Sequence, residues 1–200
     1  KLRITARAKN HLEAKNIIKP VKEKLKKDFS KFIFGEDNDT LPSVLIKELT
    51  ERNQTIVFAE SCTGGLLSSS LTSISGSSQV FKGSIVSYSN ELKNSLLNIS
   101  EEKLTKYGAV SEEVCEAMAI NVKEKLGADW AIAISGIAGP NGGSQDKPVG
   151  LVYISISGPN NHITNIKKLF NSTRNRIEIQ RLSVNVCLNS LRLILLSNSK

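Results

Sequence analysis

The stretch "TIVFAESCTGG", residues 55 to 65, gives the clearest indication of the fold. Its first half is continuously apolar and rich in β-branched residues, as in a strand covered on both faces of its sheet. Its second half changes abruptly to small and polar residues. In layered α/β domains, ligands bind beyond the carboxyl ends of the strands, where such a loop would lie.

Helix and strand patterns alternate on both sides of this stretch. We predict further strands at "SIVSYS", "DWAIAISG", "VGLVYISIS" and "ITNIKKLF". Helices are predicted at "LPSVLIKELTERN", "CTGGLLSSSLTSI", "ELKNSLLNI", "SEEKLTKYG", "SEEVCEAMAINVKEKLG" and from "TRNRIEIQ" onward. The expected fold class is α/β, a three-layer α/β/α sandwich with a central sheet. The wide apolar face of the last helix must be deeply buried or shared with another subunit, and from it we expect a homodimer.

The first 36 residues follow a pattern of their own. Residues 2 to 8 alternate apolar and polar side chains as a strand does, and residues 11 to 29 carry a helical apolar stripe that Pro20 should kink or divide. "KFIFG" then resembles a second short strand. We expect a small β-α-β fragment over residues 1 to 36 and the main domain over residues 37 to 200.

Composition excludes several classes of protein. The chain is 40% hydrophobic and 23% charged, and its longest apolar runs are shorter than the roughly 18 to 20 residues that cross a bilayer. Three widely spaced cysteines and two histidines indicate neither a disulfide framework nor a metal site. No secretory signal pattern is present at the start. We expect a cytoplasmic location, no membrane partner and no metal.

The net charge of +8 belongs to the beginning of the chain. Residues 1 to 31 contain eleven basic and three acidic residues, whereas the remaining 169 contain sixteen of each. A basic segment of this kind is compatible with nucleic-acid binding. However, it has no GXXG loop, and a lysine-rich helix is more often a solvated face, so we rank nucleic acid below a small molecule as the partner.

Small and polar residues concentrate in four segments: "AESCTGG" (59 to 65), "GSSQVFKGSIVSYSNELK" (76 to 93), "SGIAGPNGGSQDKPVG" (135 to 150) and "NSTR" (171 to 174). None contains the fingerprint of a dinucleotide site, a phosphate loop, a zinc protease or a hydrolase elbow. Ser100 and Lys103 match the spacing of serine-lysine acyl enzymes, but Ser100 is better explained as a helix cap.

The order and spacing of "AESCTGG", "GSS", "YSNELK", "GAVS", "GIAGPNGG" and "KPVG" resemble the C-terminal domain of the CinA family, the nicotinamide mononucleotide amidases. The resemblance covers roughly residues 41 to 185. Residues 1 to 36 resemble part of the KH-like middle domain that precedes this module in CinA proteins. The implied activity is hydrolysis of a nucleotide carboxamide to a carboxylate and ammonia, without a metal or cofactor.

The resemblance also assigns roles to residues of this chain. It implies that Ser78 is the nucleophile, that Lys93 is its base, and that Tyr88 lies beside the reacting group. The substrate would be bound by residues from two of the four segments and by an arginine from a third, which would meet its phosphate: Ser61, Thr63, Gly64, Gly65, Ser135, Gly139 and Arg174.

A catalytic role for Lys93 has a physical requirement. A lysine acts as a base only if its pKa falls from about 10.4 towards 7 or 8, which costs about 4 kcal/mol. The start of a helix supplies only about 0.3 to 1 kcal/mol of this. Burial must supply most of the shift, so Lys93 should lie in a pocket. We expect the glycine-rich turns at 64 to 65 and 139 to 143 to offer N–H groups to the oxyanion.

Two departures from the family pattern bear on the phosphate. "NSTR" replaces the usual Gly-Asp-Arg, and Glu178 stands where a basic residue is common. Ser135 replaces a frequent Thr but keeps the hydroxyl. Two alternatives remain open at this level: Cys62 as a thiol nucleophile, and a catalytically silent regulatory or nucleic-acid-associated module.

Overall fold

The computed structural model describes residues 2 to 197, and the chain divides after Thr40 into two units. The larger unit contains a five-stranded sheet in the order β2-β1-β3-β4-β5. Its strands are β1 (Ile56–Glu60), β2 (Phe81–Val86), β3 (Trp130–Gly136), β4 (Leu151–Ser157) and β5 (Ile163–Leu169). β1 pairs in parallel with β2 and β3, whereas β4 is antiparallel to β3 and β5 is antiparallel to β4.

Helices cover both faces of this sheet. The helices of the larger unit are α2 (Leu41–Glu51), α3 (Leu66–Thr72), α4 (Asn90–Leu97), α5 (Glu101–Tyr107), α6 (Glu112–Leu126) and α7 (Arg176–Ser197). One core joins α2, α3 and α7 to one face, and a second joins α4, α5 and α6 to the other. The predicted three-layer α/β/α sandwich is confirmed.

Alternation along the central strands divides their side chains between the two cores. Ile132 and Ile134 of β3 belong to the core with α2, α3 and α7, while Ala131 and Ala133 belong to the core with α6. β1 divides in the same way. Both sides of each strand are therefore buried, which explains why its sequence is apolar throughout.

The last helix, α7, is long and apolar enough to cross a membrane by length and composition alone. Its apolar face is nevertheless used inside this unit, because Ile179, Cys187, Leu188 and Leu191 are fully buried in the core with α2 and α3. The width of that face is thus explained within one chain. The homodimer that we expected from it stays a prediction without this support.

The smaller unit differs from its predicted β-α-β form. Its helix α1 (His11–Asp28) is confirmed and continues through Pro20, but residues 2 to 10 and 29 to 35 lie in no strand. A strand requires a neighbour to pair its backbone groups, and neither segment has one among the described residues. Helix α1 has no buried residue. The likeness to a KH-like domain therefore rests on sequence alone.

Candidate active site

Three serines lie side by side where the parallel strands end. The Ser87 N–H donates to the Glu60 carbonyl at 2.9 Å, and the Ser61 N–H donates to the Ile134 carbonyl at 3.1 Å. Strand pairing therefore continues for one residue beyond β1 and β2. Because side chains alternate between faces, Ser87, Ser61 and Ser135 share the face that carries α4 and α6. All three are buried.

Lys93 of α4 reaches this row of serines from the helix layer on the same face of the sheet. Its Nζ donates to Ser61 Oγ at 3.1 Å, to the Ser87 carbonyl at 2.8 Å and to the Tyr88 carbonyl at 3.5 Å. Only 1% of the residue is exposed. Desolvation lowers the pKa of Lys93 below its ordinary value. The expected burial of this lysine is confirmed, and its hydrogen-bond partners in the described part of the chain are all uncharged.

The turn that follows Ser61 is held by the buried carboxylate of Glu60. One carboxylate oxygen accepts from Ser68 N–H at 2.8 Å and from Ser68 Oγ at 2.5 Å. The other accepts from Thr63 Oγ1, Gly65 N–H and Leu67 N–H at 2.7 to 3.1 Å. A carboxylate with this many donors fixes the strand-to-helix turn, and with it the position of Ser61.

These contacts change the roles expected for the glycine turn. The Thr63 hydroxyl and the Gly65 N–H donate to Glu60, and the Gly64 N–H donates to the Ser61 carbonyl at 3.1 Å. These groups stabilise the turn and are not available to an oxyanion as we expected. Within residues 2 to 197, the N–H groups of Cys62 and Thr63 donate to no acceptor. They are the free donors closest in sequence to Ser61.

The thiol of Cys62 is not prepared for nucleophilic attack. The residue is buried, and desolvation raises its pKa to about 12. The thiolate, which is the reactive form, is therefore strongly disfavoured. Likewise, Ser100 Oγ accepts from the Lys103 N–H at 3.1 Å as the cap of α5, so the SxxK spacing there serves helix capping.

The structure does not bring Ser78 to Lys93. Ser78 is exposed in a short 3-10 helix, Ser77–Gln79, that precedes β2. The carbonyl of Val80 accepts from the Ile56 N–H, so this segment lies at the start of β1. Ser61 follows the end of β1, five residues or roughly 17 Å further along the strand. The expected Ser78–Lys93 pair is therefore not formed within the chain, and Ser61 occupies that place.

Other residues that we expected at the site lie near the carboxyl ends of β2 and β3, but they have different partners. The Ser135 hydroxyl donates to the Ala109 carbonyl at 2.7 Å and so holds the loop before α6. Tyr88 is 58% exposed, and its hydroxyl accepts from Arg176 Nη2 at 2.7 Å. Arg176 Nη1 donates to the Gly139 carbonyl at 2.9 Å. Arg174, the arginine that we expected here, is exposed.

Sequence reasoning missed the roles of Glu60, Ser87 and Arg176 and gave Ser61 only a lining role. For Glu60, Ser61 and Ser87 a signal was available, since all three stand at the carboxyl ends of predicted strands. Within residues 2 to 197, no group of three or more His, Cys, Asp and Glu residues could hold a metal ion.

Comparison with known proteins places this arrangement in a family. The sequence profile described as CinA C-terminal domain matches residues 38 to 195. A CinA-like protein of Prochlorococcus marinus (strain AS9601) is 94% identical over 200 residues, all of this chain and 47% of that protein. A CinA-like protein of Gloeothece citriformis (strain PCC 7424) is 46% identical over 192 residues, 96% of this chain and 46% of that protein. The chain thus spans about half the length of these curated relatives.

Solved structures agree with the sequence matches. The competence/damage inducible protein CihA from Agrobacterium tumefaciens has a TM-score of 0.76 and 36% identity, covering 82% of this chain and 98% of that one. A CinA superfamily protein from Klebsiella pneumoniae has a TM-score of 0.75 and 29% identity, covering 78% and 96% respectively. The chain therefore belongs to the CinA C-terminal domain family.

Proposed function

We propose that this chain is an amidohydrolase that converts nicotinamide mononucleotide to nicotinate mononucleotide and ammonia. The observation that carries the proposal is the 3.1 Å contact between the buried Lys93 Nζ and Ser61 Oγ. Membership of the CinA C-terminal domain family and the motif resemblance support the choice of substrate. We assign the nucleophile to Ser61 and the base to Lys93.

The first half of the reaction forms an ester on Ser61. Neutral Lys93 accepts the hydroxyl proton while Ser61 Oγ attacks the carboxamide carbon, because serine is a poor nucleophile without a base. The resulting oxyanion accepts from the N–H groups of Cys62 and Thr63. Protonated Lys93 then gives the proton to the leaving nitrogen, the C–N bond breaks, and ammonia departs.

The second half repeats these proton transfers with water. Lys93 accepts a proton from a water molecule that attacks the ester carbon, and returns it to Ser61 Oγ as the C–O bond breaks. The carboxylate product is released. Throughout, the Ser87 and Tyr88 carbonyls accept from Lys93 Nζ. They orient the amine and stabilise it during its charged intervals, when the lone pair has taken up a proton.

Ammonia release from nicotinamide mononucleotide tests the proposal directly. We expect turnover by the parent chain in the presence of a chelator, and its loss in Ser61→Ala and Lys93→Ala. Ser78→Ala is the matched control, because it removes a serine hydroxyl at the opposite end of the strands, beside the start of β1.

Retention of activity by Ser78→Ala together with its loss in Ser61→Ala would support the assignment. The opposite pattern would show that Ser78 is the nucleophile and would contradict our mechanism. No turnover by the parent chain would contradict the proposed substrate.

A further inference from the structure

The hydroxyl of Ser87 differs from the other two hydroxyls in the row of serines at the site. Ser61 Oγ accepts from Lys93 Nζ, and the Ser135 hydroxyl donates to the Ala109 carbonyl. Ser87 is fully buried, and its Oγ forms no hydrogen bond within residues 2 to 197. An unpaired buried hydroxyl costs free energy and is uncommon in folded proteins, so its presence calls for an explanation.

The register of the parallel strands puts Ser87 next to Ser61. Val86 of β2 is paired with Glu60 of β1, so Ser87 and Ser61 are the next two residues to face each other. Neighbouring strands lie about 4.8 Å apart, and both side chains are on the face that carries α4. Lys93 Nζ donates to Ser61 Oγ at 3.1 Å and to the Ser87 carbonyl at 2.8 Å. The proposed nucleophile, its base and the unpaired hydroxyl therefore lie together at the ends of β1 and β2.

Ser87 is not placed as a second nucleophile. Lys93 Nζ contacts Ser87 through its backbone carbonyl, whereas it contacts Ser61 through the hydroxyl. In the described part of the chain, the Ser87 hydroxyl therefore has no base to accept its proton, which a serine nucleophile requires. What this hydroxyl offers to a small polar molecule beside Lys93 is two lone pairs and one O–H group.

We propose that Ser87 Oγ positions the water molecule that hydrolyses the ester on Ser61. This inference rests on the proposed function, whose second half requires a water molecule beside Lys93. A bound water needs two or more polar partners, and Lys93 Nζ and Ser87 Oγ supply them. The unpaired hydroxyl is then explained as a group that is satisfied by the water during the reaction.

These contacts define how the atoms of the water are used. One hydrogen passes as a proton to Lys93 Nζ while the water oxygen forms a bond to the ester carbon. The other hydrogen is donated in a hydrogen bond to Ser87 Oγ, which neither gains nor loses a proton, and it leaves with the carboxylic acid product, which then ionises. The bond between the ester carbon and Ser61 Oγ breaks, and Ser61 Oγ takes the proton from Lys93. Loss of the Ser87 hydroxyl should therefore slow ester hydrolysis and leave ester formation unchanged.

The test uses p-nitrophenyl acetate, which separates the two steps because it forms an ester on Ser61 without a leaving amine. Release of p-nitrophenolate measures ester formation, and loss of the acetyl group from the isolated chain acetylated at Ser61, followed by mass spectrometry, measures ester hydrolysis. In Ser87→Ala we expect ester formation at the parent rate, which also reports a folded site. Ester hydrolysis should be about tenfold slower, the effect of one lost hydrogen bond. Ser87→Thr keeps the hydroxyl and should restore most of the parent rate of hydrolysis.

Ser155→Ala is the matched control, because Ser155 is an equally buried serine of β4 that is paired with Ala133 inside the sheet, and it should change neither step. An unchanged rate of ester hydrolysis in Ser87→Ala would overturn the inference, as would an equal slowing of both steps or the absence of an acetyl group on Ser61 of the parent. A parent that forms and hydrolyses the acetyl ester but releases no ammonia from nicotinamide mononucleotide would contradict the proposed amidase activity alone. The comparison of Ser87→Ala with the parent would then still decide the inference.

Discussion

Replacement of Glu60 by Gln should destabilise the domain and separate Ser61 from Lys93. The carboxylate accepts five hydrogen bonds, three on one oxygen and two on the other. A glutamine can present its carbonyl to the larger set only by directing its NH2 group at Ser68, where both former donors would lose their acceptor. At about 1.5 to 3 kcal/mol for each bond to a charged group, the expected loss is roughly 3 to 6 kcal/mol.

Guanidinium and thermal unfolding would measure this loss. For a chain of this size, 1 kcal/mol corresponds to about 2 to 4 °C, so Tm should fall by roughly 6 to 24 °C. Glu102→Gln is the control, because Glu102 is an exposed acid in the first turn of α5, and its effect should be a small fraction of that change. A Glu60→Gln variant that unfolds within about 1 kcal/mol of the parent, with ammonia release intact, would refute the view that this carboxylate holds the turn.

Four further predictions concern Lys93 and the loop after β3. Lys93→Met should abolish ammonia release, because it removes the proposed base while nearly conserving the volume of the side chain; turnover retained by this variant would contradict the mechanism. The kcat/KM of the parent should rise with pH as Lys93 loses its proton, with a midpoint below the ordinary lysine value because burial lowers its pKa. Below the ordinary lysine pKa, the unfolded chain binds more protons than the folded one. The stability of the parent should therefore also rise with pH up to that ordinary value, and Lys93→Met should lack this rise. A difference in stability between parent and variant that does not change with pH would argue against a shifted pKa. Gly150→Ala should lower Tm more than Gly142→Ala. Both glycines have positive φ, so an alanine at either position costs about 1 to 2 kcal/mol of backbone strain. Only at Gly150 would the new Cβ also overlap a backbone oxygen, that of Phe170. Equal Tm values would refute that steric argument.

The main domain could be predicted from sequence because its strands are buried on both faces. A short, continuously apolar run with β-branched residues, such as residues 56 to 59, is typical of a strand that is buried on both faces. The helices between the strands carry capping serines and terminal glycines. The prediction of strands in the first 36 residues was wrong for a physical reason. Alternation in residues 2 to 8 describes a segment that could line a sheet, but it says nothing about whether a pairing partner is present.

The site was harder to predict because a motif does not reveal whether it lies at the amino-terminal or the carboxyl-terminal end of the strands. Ser78 and Ser61 both stand among small residues beside a strand, but one precedes β2 and the other follows β1, and only the parallel pairing of the two strands separates them. Arg174 and Arg176 are two residues apart, and the cap at Asn175 decides which of them turns inward. Such decisions depend on hydrogen bonds that composition and spacing do not specify.

The contacts of Lys93 have a consequence for how this domain can diverge in sequence. Among the described residues, the hydrogen-bond partners of its Nζ all lie between Ser61 and Tyr88, and two of the three are backbone carbonyls. From β3, Ser61 receives a backbone contact through the Ile134 carbonyl, which does not depend on the identity of that side chain. The contacts of the proposed base are therefore encoded in one short stretch of the chain, and the regions beyond it are free to acquire new binding preferences while Lys93 keeps its contact with Ser61.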